Sequence, residues 1–167
     1  MMTAKTRPSQ PAKPVIFAGQ LMFNYRFEAG RTGSKFLREI RDNKKILGLK
    51  CTKCNKVYVP PRSTCKECFS QLDKWVEVSP EGKLLTYTVL RVPRDAVKDI
   101  LKKQLPVAYG IIKLDGADTG FVHMLGEVDL DKIRVGMRVK AVFREDERKG
   151  NILDINYFKP VSKARER

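Results

Sequence analysis

All four cysteines of this 167-residue chain lie within one stretch, CTKCNKVYVPPRSTCKEC. They form two Cys-x-x-Cys pairs, Cys51 with Cys54 and Cys65 with Cys68, separated by ten residues. Such pairs serve as a redox dithiol, as disulfides or as metal ligands. A redox dithiol usually works as a single pair at the start of a helix beside a strand, whereas this stretch has two pairs and no such pattern.

The spacing of the pairs favours a metal site. Structural Zn²⁺ takes four soft ligands in a tetrahedron at about 2.3 Å, and each Cys-x-x-Cys turn presents two thiolates to one side of the ion. Asn55 follows the first pair, where a left-handed backbone suits the turn, and Phe69, a poor turn residue, follows the second. We therefore predict a zinc ribbon whose full coordination makes the metal structural. Its predicted ligands are Cys51, Cys54, Cys65 and Cys68.

Few other residues suit catalysis. His123 is the only histidine and lies in a predicted strand, so we expect a packed or surface side chain rather than a general base. The acidic residues are scattered through turns, and no pair is placed as general acid and general base. Because zinc-bound thiolates are poor nucleophiles, the set of possible catalytic residues argues against an independent enzyme.

The chain is strongly basic, with a net charge of +15. Residues 1–50 carry eleven Lys and Arg against three acids. This balance favours polyanionic partners such as nucleic acid, phosphate-bearing cofactors or an acidic protein face. No apolar run suits a signal peptide, and none approaches the roughly 18 residues of a membrane span. We predict a cytoplasmic protein, and its reducing compartment disfavours disulfides.

The N-terminal part predicts a flexible basic tail over 1–20 and a helical lead-in over 21–48 with a break at 30–33. Ser34 is the predicted helix cap. The apolar stripe consists of Phe36, Leu37 and Ile40. The simpler interpretation is an amphipathic helix packed on its own domain. The alternative is a helix whose basic residues, among them Arg38 and Arg41, dock onto a partner.

Beyond the predicted ribbon at 49–74, residues 75–160 are typical of a β-barrel. Strands are predicted at 82–92, 106–114, 120–128, 138–143 and 152–160. A turn over Pro80, Glu81 and Gly82 precedes them, a short helix over 93–106 separates the first two, and a basic tail follows at 161–167. The predicted fold is mainly β with N-terminal helices, and its four-cysteine zinc ribbon precedes a five-stranded OB-type Greek-key barrel.

Several motifs occur in a specific order. YRFEAG and KFLREI precede LGLKCTKC and VPPRSTCKEC, and Trp75, GKLLTYTV and PVAYGIIKL follow. Over about residues 21–160 the chain resembles the rubredoxin-like zinc-ribbon plus OB-fold family of acyl-CoA-associated proteins. The family's four ligands correspond to the four cysteines, and Asn55 stands where glycine is frequent. The resemblance implies a non-catalytic accessory subunit that joins a thiolase-superfamily enzyme in a hetero-oligomer and helps hold its CoA site.

Two functions remain open on the residues alone. An accessory subunit could meet the phosphates of CoA or an acyl-CoA shared with its partner, and Arg62 beside the ribbon is a candidate contact. An OB barrel could instead bind single-stranded nucleic acid on its second and third strands. Tyr109, Lys113 and Phe121 are the candidates for that face, although Tyr109 and Phe121 are more simply explained as core residues.

Overall fold

The structure is a computed structural model, and it describes residues 27–91 and 105–161. Helix α1 spans Gly30–Asn43. Eight strands follow: β1 (Ile46–Lys50), β2 (Val57–Tyr58), β3 (Lys74–Val78), β4 (Glu81–Leu90), β5 (Val107–Leu114), β6 (Gly120–Leu125), β7 (Arg138–Phe143) and β8 (Ile155–Pro160). The predicted tail 1–20, almost all of the predicted helix 93–106 and residues 162–167 lie outside the described ranges. Within these ranges, no helix combines the length and apolar character that crossing a bilayer requires.

The strands form two sheets. β1 pairs antiparallel with both β2 and β3, and this sheet carries the cysteine turns. The other five strands close into a barrel in the order β4-β5-β6-β8-β7, with β7 returning to β4. The mainly β fold with a five-stranded OB-type barrel is thereby confirmed. Residue 75, the predicted start of the barrel, falls within β3 of the ribbon sheet, and the first barrel strand begins at Glu81.

The helix differs from the prediction at both ends. α1 begins at Gly30, and Ala29 at its N-cap makes no side-chain capping bond, so the predicted cap Ser34 lies inside the helix and residues 30–33 do not break it. It ends after Asn43 because Lys44 adopts a left-handed conformation, and Ile46 already belongs to β1. The predicted lead-in therefore holds a single helix within its described part.

One hydrophobic core joins the helix, the ribbon sheet and the barrel. Phe36 and Ile40 of α1 are 3% and 0% exposed and pack with Ile46 and Val78 of the ribbon sheet. The same cluster continues into the barrel interior, where its fully buried members include Leu84, Ile112, Phe121, Val139 and Phe158. The predicted apolar stripe of α1 is confirmed, since Leu37 also packs against this cluster. Burial of this stripe, rather than a cap, stabilises the helix.

The ribbon is also hydrogen-bonded to the barrel. The Val57 N–H donates to a carboxylate oxygen of Asp118 at 2.9 Å, and the Val59 N–H donates to the Thr119 hydroxyl at 2.8 Å. That hydroxyl in turn donates to the Val59 carbonyl at 2.8 Å. Asp118 and Thr119 lie in the turn between β5 and β6. These contacts attach β2 and Val59, which lie between the two cysteine turns, to the barrel.

Candidate metal centre

The four cysteines meet at the end of the ribbon sheet. Their sulfurs all lie within 4.8 Å of one another. Cys51 Sγ and Cys68 Sγ are 3.6 Å apart, close to the roughly 3.8 Å edge of a tetrahedron with 2.3 Å zinc–sulfur bonds. A disulfide needs about 2.05 Å, and the four thiols are free. Cys51 and Cys65 are fully buried, whereas Cys54 and Cys68 are half-buried.

The two turns share one backbone conformation. The Cys51 N–H donates to the Lys56 carbonyl at 2.8 Å, and the Cys65 N–H donates to the Ser70 carbonyl at 2.9 Å, five residues ahead in both cases. Asn55 and Phe69 occupy equivalent positions with φ of 57° and 56°. Phe69 therefore takes the left-handed conformation that its type disfavours. The shared geometry points four sulfurs at one another, as a tetrathiolate site requires.

The charge state of the sulfurs also fits a cation. A hydrogen bond from the Ser70 hydroxyl, followed by one from the Cys54 N–H, lowers the pKa of Cys51 to about 6. The hydrogen bond with Cys68, followed by burial, raises the pKa of Cys54 to about 12. Without a cation, the Cys54 thiol thus resists ionising beside its neighbouring sulfurs. A dication would stabilise all four thiolates, which is the chemistry of this donor set.

Two hydroxyl groups contact the sulfurs from outside. Tyr58, 1% exposed, places its hydroxyl 3.2 Å from Cys65 Sγ, and this contact is the largest cause of the lowered pKa of Cys65. The Ser70 hydroxyl lies 3.1 Å from Cys68 Sγ and 3.4 Å from Cys51 Sγ. Sequence reasoning missed both residues. Ser70 could have been suspected from its place two residues after Cys68, but nothing in the sequence singles out Tyr58.

Tyr58→Phe should weaken the metal site without unfolding it. The phenyl ring keeps the packing of Tyr58, but Cys65 Sγ loses a hydrogen-bond donor. Loss of such an outer partner typically costs about 10- to 100-fold in metal affinity. We expect faster zinc transfer to a chromogenic chelator, with an unchanged secondary-structure spectrum. Tyr87→Phe, on an exposed tyrosine of β4, is the control. Equal transfer rates in both variants would contradict the role of the Tyr58 hydroxyl.

Arg62, the predicted phosphate contact, lies beside the ribbon. It is exposed, and its guanidinium stands 5.3 Å from the centre of the Tyr58 ring. Three further exposed cations surround the cysteine turns: Lys53, Lys56 and Lys66. Lys56 is 3.5 Å from Asp118 and Lys66 is 3.5 Å from Glu67. Among the residues the structure describes, Lys53 and Arg62 have no such ion pair.

His123 lies inside the barrel. It is 5% exposed and packs between Phe121 and Phe158, with ring centroids 5.8 and 5.6 Å away. Its Nε2 is 3.3 Å from the Ile152 carbonyl, which makes it the donor, while Nδ1 is buried without a hydrogen-bond partner. Burial lowers the pKa of His123. The side chain is therefore a neutral core residue, consistent with the packed role expected from the sequence.

His123 should make the fold sensitive to acid. Because its pKa is lower in the folded chain than in the unfolded one, the two states bind protons equally only well above the unfolded value of about 6.5. Below that pH the unfolded chain takes up a proton first, so stability falls by at most about 1.4 kcal/mol per pH unit from this group. His123→Phe should show a shallower loss between pH 7 and pH 5 in urea unfolding. Zinc loss affects the wild type and His123→Phe alike. Equal pH slopes of stability in the two proteins would therefore contradict the assignment of this acid sensitivity to His123.

The predicted docking and stacking residues separate in the structure. Arg38 is exposed, but Arg41 pairs with Asp42 at 2.7 Å and its carbonyl accepts a hydrogen bond from Arg148. On the barrel, Phe121 is 1% exposed and belongs to the core, as the simpler interpretation had it. Tyr109 is half-buried and Lys113 is exposed. The three candidates for nucleic-acid stacking therefore do not share one open face.

Family models match most of the described chain. Residues 38–73 match the rubredoxin-like zinc ribbon domain of ChsH2, and residues 75–144 match its C-terminal OB-fold domain. A DUF35 domain-containing scaffold protein from Methanocaldococcus jannaschii is 31% identical over 128 residues, or 74% of this chain and 87% of the relative. One of the same description from Methanothermobacter thermautotrophicus is 32% identical over 129 residues, or 74% and 92%.

Solved structures share the fold at lower identity. A chain of the Ltp2-ChsH2(DUF35) aldolase superposes with a TM-score of 0.58 at 22% identity, over 81% of this chain and 98% of that one. A DUF35-family protein from Sulfolobus solfataricus gives 0.55 at 22% identity, over 78% and 84%. The resemblance seen in the sequence is confirmed: the chain belongs to the DUF35 family, with a rubredoxin-like zinc ribbon followed by an OB-fold domain.

Proposed function

We propose that this protein is a non-catalytic scaffold subunit of a thiolase-type enzyme complex that processes acyl-CoA, and that Cys51, Cys54, Cys65 and Cys68 bind a structural zinc. The observation that carries the proposal is the core that α1 and the ribbon sheet share with the barrel, next to the smaller cluster that holds the cysteine turns. The relatives described as scaffold proteins, and the fold shared with a chain of the Ltp2-ChsH2(DUF35) aldolase, support it.

The chemistry of the described residues suits a structural role rather than catalysis. Zinc would draw all four thiolates into its coordination sphere and supply rigidity, with no vacant position for a substrate. The single histidine is a buried core residue. A rigid platform with a basic surface can hold a second polypeptide and favour a phosphate-bearing ligand without breaking bonds itself. Free cysteines also suit the reducing cytoplasm, where we place the protein.

The ribbon would contact the partner's acyl-CoA through its positively charged side chains. CoA carries several phosphate charges, and Lys53, Arg62 and Lys66 are exposed around the cysteine turns. Arg62 is held in place by the Tyr58 ring, so less side-chain freedom would be lost when it meets a phosphate. We therefore propose that the ribbon surface faces the CoA site of the complex.

Co-expression with the thiolase-superfamily proteins of the same source tests the scaffold role. We expect one of them to co-purify with this chain in a defined ratio by size-exclusion chromatography with light scattering. The isolated chain should not turn over acyl-CoA thioesters. Turnover by this chain alone would overturn the proposal. Tight binding of single-stranded DNA with a steep salt dependence, and no enzyme partner, would favour the nucleic-acid alternative instead.

Arg38→Glu should weaken the complex if α1 faces the partner. Arg38 is the cleaner choice because Arg41 is tied to Asp42 and Arg148. Reversing one charge at an interface rim typically acts on association, and we expect roughly a three- to tenfold weaker affinity. Surface-immobilised binding kinetics would measure it, with Arg134→Glu on the exposed barrel surface as control. Unchanged affinity would leave α1 as a helix that serves only its own domain.

A further inference from the structure

The outer surface of the barrel carries an exposed aliphatic patch. Leu85, Ile111 and Val122 are 47%, 37% and 63% exposed. They come from three adjacent strands, β4, β5 and β6, and Ile111 lies directly opposite Val122 in the sheet register. Directly opposed residues of antiparallel strands point to the same side, so Ile111 and Val122 share one face. Leu85 lies at the register shift between Leu84 and Thr86 and reaches the same face beside Ile111. We call it the aliphatic face.

The patch is contiguous rather than a scatter of single residues. A Cβ added at Gly120 would overlap Ile111 Cγ2 and lie 3.8 Å from Leu85 Cδ1. Ile111 and Leu85 thus both reach the space above Gly120, which its missing side chain leaves open. The barrel interior does not use them, because Leu84, Ile112 and Phe121 fill it from the opposite side of the same strands. Contiguous exposed apolar side chains mark interaction sites more often than isolated ones do.

Two lysines border the aliphatic face. Lys83 of β4 and Lys113 of β5 are directly opposed, one register step from the patch, and both are exposed. Like charges in directly opposed positions destabilise a sheet. Within the described ranges neither lysine has a carboxylate at ion-pair distance. The border therefore complements carboxylates carried by another molecule.

The make-up of the face favours a protein over a nucleic acid. OB barrels that bind single strands do so through aromatic side chains on which bases stack. Here the centre of the face is aliphatic, Phe121 points into the core, and Tyr109, two residues before Ile111 on the same side of β5, is half-buried. Leucine, isoleucine and valine offer no π-surface to a base, but they bury well against an apolar protein surface. Acidic groups at the edge of that surface would complement the two lysines.

We propose that the aliphatic face, bordered by Lys83 and Lys113, is the docking surface for an apolar, carboxylate-edged face of the thiolase-type subunit. This inference rests on the proposed function. The partner would then contact the protein at two places, the ribbon surface and the aliphatic face of the barrel. Desolvation of Val122 and Ile111 would supply the affinity, and the lysines would orient the partner and speed its association.

Two matched valines allow a direct test with the full chain and the co-purifying thiolase-type subunit. Val122 and Val135 are both 63% exposed, but Val135 lies in the turn before β7. By isothermal titration calorimetry, we expect Val122→Glu to weaken binding at least about tenfold and Val135→Glu less than about twofold. Zinc content and thermal midpoint should stay close to wild type in both. Lys83→Gln combined with Lys113→Gln should flatten the salt dependence of the affinity.

A second measurement avoids a charged substitution in a strand. Val122→Cys should react quickly with a maleimide in the isolated zinc-loaded chain and at least about tenfold more slowly in the complex, as expected for a buried interface centre. Val135→Cys should react equally in both. The wild-type chain corrects for the four zinc-binding cysteines.

The outcomes separate the two proposals. Unchanged affinity of Val122→Glu, with equal labelling of Val122→Cys in free and bound chain, would overturn the docking surface and leave the scaffold role standing. Absence of any complex with the wild-type chain would overturn both. Slow labelling in the isolated chain would show that the chain itself, or at high concentration a second copy, covers the face, and would overturn the docking proposal. So would tight oligothymidylate binding that Val122→Glu abolishes.

Discussion

Cys65→Ser should abolish zinc binding and unfold the ribbon. Cys65 is fully buried, and its sulfur is one of the four that lie within 4.8 Å of one another. The local cluster around it is small, with Leu49, Tyr58 and Leu72 as its buried apolar members besides the cysteines. Structural zinc in small domains contributes on the order of 10 kcal/mol, which so small a cluster cannot replace. Cys51→Ser should behave in the same way.

Metal content and unfolding together measure this prediction. Elemental analysis should fall from about one zinc per chain, the stoichiometry of a tetrathiolate site, to near zero. Amide exchange should rise across the ribbon sheet and stay low in the barrel interior. Thr52→Ser, at an exposed position inside the first cysteine turn, is the matched control and should retain the metal. Zinc retention by Cys65→Ser, or a carefully prepared wild-type chain without zinc, would refute the site.

Gly82→Ala should destabilise the whole barrel. Gly82 lies in β4 at the point where that strand pairs with both neighbours, opposite Leu114 of β5 and Val139 of β7. A Cβ there would overlap the Lys113 carbonyl oxygen and lie 2.8 Å from Leu114 Cα. Backbone atoms held in a closed barrel cannot rotate away as a side chain would, so we expect a loss of about 3 kcal/mol or more.

Urea and thermal unfolding would measure that loss. For a chain of this size, each kcal/mol corresponds to roughly 2–4 °C in Tm. Gly33→Ala is the control, because its added Cβ would meet only Ala29 Cβ, at 3.2 Å near the start of α1, and alanine favours a helix. We expect that variant to stay within about 1 kcal/mol of wild type. A Gly82→Ala chain as stable as the control would show that the strands can separate at this point.

The same glycine shows a contact that the sequence did not predict. The predicted strand 82–92 already includes Gly82, but the predicted turn over Pro80, Glu81 and Gly82 extends too far, because β4 begins at Glu81. Gly82 is required there because the Lys113–Leu114 backbone approaches it closely, some thirty residues along the chain. Local propensity carries no record of such a contact. Ser34 failed as a cap for a related reason, because burial of Phe36 and Ile40 against the ribbon and barrel positions α1.

Sequence alone determined the features that depend on near neighbours. The cysteine spacing predicted the ribbon because four ligands within eighteen residues need only two turns and a hairpin to meet. β-rich runs bounded by turn residues predicted all five barrel strands, because both signals are local in the sequence. The amphipathic stripe of α1 followed from its helical period in the same way.

Only the tertiary structure decided which individual side chains contact one another. It placed the Tyr58 hydroxyl against Cys65, joined the ribbon to the barrel through Asp118 and Thr119, and buried His123 between two phenylalanines. It also turned Phe121 inward and left Leu85, Ile111 and Val122 on the outside. Barrel closure sets these choices, because the register of all five strands together determines which residues face the core.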